Sequence, residues 1–99
     1  MERGGTIYIM TNKTHTTLYV GVPSNLYARI TEHKEKVYPK SFTARYNINK
    51  LVYYEPFHSI EEAIAREKQL KAGSRIKKIT LIDKSNPELL DLYEQISEW

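Results

Sequence analysis

Ninety-nine residues, 40% hydrophobic and 27% charged, suit one small folded domain and leave too little apolar surface for a second core. The absence of cysteine excludes a disulfide framework and a cysteine-based zinc site, and no apolar run is long enough to span a bilayer. A net charge of +3 and a pI near 9.1 permit a nucleic-acid partner without requiring one, and "MERGGTIYIM" lacks a signal-peptide pattern, so a cytoplasmic location is expected.

"TIYIM" (Thr6–Met10) and "TLYVGV" (Thr17–Val22) are rich in β-branched and aromatic residues and alternate, so they read as two strands joined by the polar turn "TNKTHT". With Ile7 facing Val20 and Ile9 facing Leu18, the aliphatic side chains share one face, and Tyr8 stands opposite Tyr19 on the other. After Pro23, Ser24 is the expected N-cap of a helix running to about Lys36, with Leu26 and Ile30 as its apolar stripe. Arg29 and His33, one turn apart, share a neighbouring face of that helix. Pro39 ends the segment, and "SFTARYNIN" fits either a short helix or a loop.

"LVYYEPF" (Leu51–Phe57) reads as a third strand, closed by Pro56. "SIEEAIAREKQLKAG" is the strongest helix, with Ser59 and Glu62 as a capping box and Gly73 as its stop. Its apolar face runs through Ile60, Ala63, Ile64 and Leu70, and Glu67 falls on the same stripe. "SRIKKITLID" predicts a further helix. "NPELLDLYEQISEW" predicts a last one, with Pro87 at its first position. The order β-β-α-(α)-β-α-α-α predicts a three-stranded sheet flanked by helices.

Several residues admit two readings. A carboxylate on an apolar stripe must be paired, protonated, metal-bound or at the solvent edge, so Glu67 is an edge residue paired with Arg66, Lys68 or Lys71, or a metal ligand. Arg29 and His33 form a solvated face balanced by Glu32 and Glu35, or a pair that holds a phosphate and shuttles a proton. Tyr8 and Tyr19 are packing aromatics or reactive groups; a phenol with a pKa of about 10 is a poor base unless nearby positive charge lowers it. The run "REKQLKAGSRIKK" is a solvated surface or a phosphate-tracking patch. There is no Gly-Lys-Ser/Thr phosphate loop and no G-x-S-x-G elbow, and His15, His33 and His58 lack metal-site spacing.

Taken together, these pieces resemble a known family. "TIY" at Thr6–Tyr8 and "YVG" at Tyr19–Gly21 are similar to the paired signatures of the GIY-YIG nuclease superfamily. "NLYARITEHK" resembles the helix that follows them, with Arg29 at the arginine position and His33 at the His-or-Tyr position. "LVYYEPFHSIEEAIAREKQLKAGSRIKKITLID" resembles the third strand and the helix bearing the metal-binding glutamate, whose place Glu67 takes. "SNPELLDLY" looks like the closing Asn-Pro segment of small stand-alone bacterial members, with Asn86 at the asparagine.

The resemblance spans roughly Gly5 to Leu92 and implies one domain over residues 1–99 with a core of about 5–92. It implies an α/β sandwich with a central three-stranded antiparallel sheet. It further implies cleavage of phosphodiester bonds in DNA with one divalent cation, Mg²⁺ or Mn²⁺, in repair or recombination. In that scheme Glu67 binds the metal, Arg29 stabilises the transition state, Tyr8 or Tyr19 orients or deprotonates the attacking water, and His33 assists with a proton or phosphate contact. Gly21, Ser24 and Asn86 are the expected substrate contacts. Thr6 replaces the first glycine of the signature. Val22 stands where some repair-type members carry a lysine, so a group such as Lys34 or Lys40 is expected to assist the tyrosine instead. A bare domain of this kind is expected to be unspecific, weak or dependent on a protein partner that supplies specificity. The alternative is a non-catalytic nucleic-acid-binding module acting through partners, and a purely structural protein is a third reading.

Overall fold

The computed structural model describes residues 4–97. Strands β1 (Gly5–Thr11), β2 (Leu18–Gly21) and β3 (Lys50–Phe57) form one antiparallel sheet in the order β2-β1-β3. Helices α1 (Leu26–Glu35) and α2 (Phe42–Arg45) lie between β2 and β3, and α3 (Ile60–Ala72) and α4 (Arg75–Ser85) follow β3. A 3₁₀ turn spans Tyr93–Ile96. The predicted sandwich is therefore present.

Strand alternation divides the interior in two. On one face Ile7, Ile9, Val20 and Val52 pack with Ala63 and Leu70 of α3 and Ile82 of α4. On the other, Tyr8, Met10 and Leu51 pack with Leu26 and Ile30 of α1, together with Ile48 and Ile96. Both stripe residues of α1 are buried as predicted. On α3 only Ala63 and Leu70 are, while Ile60 and Ile64 are exposed. Gly5 lets that helix come close, because a Cβ there would stand 2.9 Å from Ala63 Cβ and 3.0 Å from Ile60 Cα.

The hairpin register differs from expectation by two residues. Ile9 pairs with Val20, Met10 with Tyr19, and Tyr8 with Gly21. The reason lies in the turn. Asn12 Oδ1 accepts from the Thr16 and Thr17 amides at 2.9 and 3.2 Å, and Thr11 Oγ1 donates to the Thr17 carbonyl at 2.8 Å, so the ladder closes at Thr11–Leu18. A two-residue shift preserves the faces, so Tyr8 and Tyr19 still share a side.

Three further expectations need correction. The N-cap of α1 is Asn25, whose side chain accepts from the Ala28 amide at 2.9 Å, and not Ser24. Pro56 lies within β3 rather than ending it, which an edge strand tolerates. The closing helix is absent among the described residues. Leu89 takes a left-handed φ of 54°, Asp91 Oδ1 accepts from the Leu51 and Tyr93 amides, and the Leu92 amide donates to the Leu51 carbonyl. These bonds lay the segment along the open edge of β3, and the last two residues of the predicted helix lie outside the described residues.

Asn86 is explained by a bulge in β3. Ile9 pairs with Tyr53 but Met10 pairs with Leu51, which leaves Val52 as the extra residue. The buried Asn86 Nδ2 donates to the Val52 carbonyl at 3.1 Å and to the Leu90 carbonyl at 2.9 Å, while its Oδ1 accepts from the Leu90 amide at 3.0 Å. Its amide is committed to the fold, which corrects its expected place as a substrate contact. Asn86→Leu is expected to destabilise the protein by about 2 kcal/mol, because buried carbonyls lose their donor. Chemical denaturation checks this, with DNA affinity of the folded variant unchanged.

Candidate active site

The sheet places Tyr8 and Tyr19 on the α1 side, and α1 carries Arg29 and His33 toward them. Tyr8 is fully buried, and its ring lies against Gly21 on the neighbouring strand. A Cβ at Gly21 would stand 2.6 Å from Tyr8 Cζ and Oη, so only glycine leaves room. Gly21 thus seats Tyr8, a role different from the substrate contact expected of it.

The Tyr8 hydroxyl meets His33 Nε2 at 2.9 Å, and His33 Nδ1 meets Thr43 Oγ1 at 2.8 Å. In either imidazole tautomer one ring nitrogen donates and the other accepts, so the chain Tyr8–His33–Thr43 is satisfied throughout. Thr43 is buried on α2, which Ser41 starts by accepting from the Ala44 amide at 3.3 Å. Sequence reasoning missed Thr43. The only signal was the capping serine that makes "SFTARYNIN" a helix.

Tyr19, Arg29 and His33 line one cleft of about 390 Å³, together with Glu32, Tyr38 and Phe42. The Tyr19 ring centroid lies 6.2 Å from that of Tyr8 and 5.9 Å from that of His33. Arg29 Nε pairs with Glu32 at 3.3 Å on the exposed side of α1. Such pairs are weak, so a phosphate can displace the carboxylate.

Burial pushes the Tyr8 hydroxyl well above the ordinary phenol range, and neighbouring Tyr19 adds to this; Arg29 opposes it and Glu67 reinforces it. Tyr8 therefore keeps its proton at neutral pH. Burial and the Arg29 charge hold His33 below its ordinary value of 6.5, with Glu32 opposing. The unfolded chain consequently takes up the His33 proton first as the medium acidifies. Stability from this group is complete above about pH 6.5 and is lost below it, toward the lowered folded value. His33→Gln, which keeps an amide between Tyr8 and Thr43, is expected to flatten the melting-temperature slope between about pH 6.5 and 5. An unchanged slope would assign that titration elsewhere.

Glu67 lies outside the lining of this cleft. It sits between Ala63 and Leu70 on the α3 stripe that packs against the aliphatic face, with its side chain 21% exposed. Glu67 Oε2 pairs with Lys71 Nζ at 3.1 Å, as the edge reading expected, and its charge is felt at the Tyr8 hydroxyl. Among the described residues no three His, Cys, Asp or Glu side chains cluster to hold a metal. A lone half-buried carboxylate fits a hard divalent ion that keeps most of its own waters, such as Mg²⁺ or Mn²⁺, rather than an ion that needs a protein cage.

The remaining candidates lie elsewhere. Ser24 lines a second cleft of about 400 Å³ with Gly4, Gly5, Thr6 and Asn25, and shares no residue with the first. Lys34 is bound to Asp91 and to the Asn49 carbonyl and lies over the Tyr93 ring, outside the lining of the cleft that holds Tyr19. Val22 packs on the aliphatic cluster. Much of the basic run is structural: Arg66 pairs with Glu55 at 3.2 Å, Arg75 holds the hairpin turn through the His15 and Thr16 carbonyls, and Lys78 caps Gly73 at 2.8 Å.

Comparison with known proteins gives the family and the fold. Residues 4–79 match the model of the GIY-YIG catalytic domain. A UPF0213 protein of Syntrophus aciditrophicus is 39% identical over 72 residues, covering 73% of this chain and 82% of its own. One from Staphylococcus haemolyticus is 36% identical over 77 residues, covering 78% and 92%. The solution NMR structure of a UPF0213 protein from Bacillus halodurans superposes with a TM-score of 0.54 at 28% identity, over 85% of this chain and 87% of that one. The chain belongs to the GIY-YIG family.

Proposed function

We propose that residues 1–99 act as one GIY-YIG-type unit, with a core of about 5–92, that hydrolyses phosphodiester bonds in DNA in the cytoplasm, in repair or recombination. One observation carries this reading: Tyr19, Arg29 and the Tyr8–His33–Thr43 chain converge on a single open cleft. No helix among the described residues is long and apolar enough to cross a membrane.

Arg29 would place its planar fork on non-bridging phosphate oxygens and stabilise the charge that develops there. Tyr19, at the cleft surface, would orient the attacking water as a hydrogen-bond acceptor, and would take its proton only after giving up its own to solvent. Tyr8 suits a different task. Buried and protonated, it fixes His33, whose ring nitrogens are taken up by Tyr8 and Thr43, so a proton would pass between the imidazole and the cleft through the Thr43 hydroxyl that lines it. Glu67 would hold one divalent cation, Mg²⁺ or Mn²⁺, by exchanging Lys71 for it. When bound, the cation supplies Lewis-acid polarisation of the phosphate. Specificity beyond the cleft would come from a partner protein.

The test is incubation with supercoiled plasmid, branched DNA and single strands, with Mg²⁺, Mn²⁺ or chelator. Nicking or cutting that requires the metal supports the reading. Binding without cutting of any substrate would leave a nucleic-acid-binding module instead. No binding at any salt concentration would favour a structural protein.

A further inference from the structure

An aromatic run leaves the cleft and continues over the surface. The Tyr19 and Phe42 rings stack with centroids 6.1 Å apart and planes at 27°, and Phe42 meets Tyr46 at 4.7 Å. Phe42 and Tyr46 remain 47% and 49% exposed, and Tyr38 beside them is 61% exposed. Folding does not account for these rings, because the residues that α2 buries are Thr43 and Ala44.

The segment that carries Phe42 and Tyr46 is of one charge, and the nearby cleft carboxylate, Glu32, is paired with Arg29. Between Glu35 and Glu55 the chain has no carboxylate but carries Lys36, Lys40, Arg45 and Lys50. Lys40 and Arg45 are exposed and flank Phe42 in sequence. Stacked rings with adjacent cations match a strand whose bases are unpaired: each base offers a π-face and each phosphate a charge. A continuous duplex hides its base faces inside the stack.

We propose that Phe42 and Tyr46 extend the cleft as a stacking track for unpaired bases next to the scissile phosphate, so that the substrate is DNA with a single-stranded segment at the cut. This deepens the nuclease reading and rests on it for the place of the scissile phosphate. The track also makes a claim about binding that holds without cleavage.

Fluorescence anisotropy in chelator tests it, using the full chain with a labelled oligothymidylate of about 12 nucleotides and a blunt duplex of equal length. The single strand is expected to bind more tightly than the duplex. Phe42→Ala and Tyr46→Ala should each weaken the single-strand complex roughly tenfold and leave the duplex complex unchanged, and Phe42→Trp should restore it. Tyr46 sits at the outer end of the run, so its variant keeps the test valid should Phe42→Ala impair folding. Duplex binding as tight as single-strand binding would overturn the proposal, as would equal weakening of both complexes. Tighter binding of an oligouridylate would overturn DNA as the source of the bases. A wild-type dimer that Phe42→Ala or Tyr46→Ala converts to monomer would assign the patch to self-association. Absence of cutting in Mg²⁺ would defeat the nuclease reading and leave this binding result intact.

Discussion

Gly21→Ala is expected to slow DNA cleavage roughly a hundredfold and to lower stability by about 2 kcal/mol. The methyl group would stand 2.6 Å from Tyr8 Cζ and Oη, closer than any real contact. One of the two must move. Gly21 is held in the ladder by its pairing with Tyr8, so the ring gives way and its hydroxyl leaves His33 Nε2. The imidazole, then held by Thr43 alone, loses its fixed orientation beside the cleft, and a misplacement of about 1 Å costs roughly a hundredfold in rate. Denaturant melts measure the stability loss, and cleavage is assayed at a temperature where the variant is folded. A folded, fully active Gly21→Ala protein would show that the Tyr8–His33 bond is dispensable.

Arg29→Ala should lower kcat by roughly 10²–10³ with a small change in DNA affinity, as removal of one donor to a developing oxyanion does. Two features predict the split. Arg29 is one phosphate contact among several cations, so binding is shared. Its charge at the cleft is also partly offset by Glu32, 3.3 Å away. Removing Arg29 leaves that carboxylate unpaired and facing the substrate. The double variant Arg29→Ala/Glu32→Ala should therefore regain part of the lost rate. Arg29→Lys should regain less than a conservative change suggests, because an ammonium cannot form the two parallel bonds of a guanidinium. Single-turnover rates with substrate in excess of Kd separate these effects. Equal losses in binding and rate would make Arg29 a binding residue only.

Much of this was legible in the sequence because it depends on periodicity. Alternation put Tyr8 and Tyr19 on one face, and the i to i+4 spacing put Arg29 and His33 on another. Ser59 announced α3, and its side chain does accept from the Glu62 amide, at 3.2 Å. What failed depends on contacts between distant residues. The hairpin register is set by the side chain of Asn12, whose bonds to Thr16 and Thr17 no strand pattern encodes. The bulge at Val52 exists with its buried partner Asn86, 34 residues later in the chain. "NPELLDLYEQISEW" has helical character, but Asp91 and Leu92 bond to Leu51, and tertiary pairing overrides propensity. Thr43 reaches His33 only because α2 folds back over α1.

Glu67 was visible as a carboxylate on an apolar stripe, and the structure shows the ion pair that one of its readings expected. It is paired with Lys71, and its charge reaches Tyr8. That ion pair is exposed on the lysine side and weak, so it does not oppose replacement by a divalent cation.

The most direct test of the whole account is a Mg²⁺ and Mn²⁺ titration of the single-turnover cleavage rate, comparing the wild type with Glu67→Gln. The wild-type rate should rise from zero in chelator and saturate with one-site dependence on the cation. Glu67→Gln should bind DNA as well as the wild type and cleave it at least about a hundredfold more slowly at any metal concentration. A glutamine variant that cleaves at the wild-type rate, or wild-type cleavage that persists in chelator, would contradict the account.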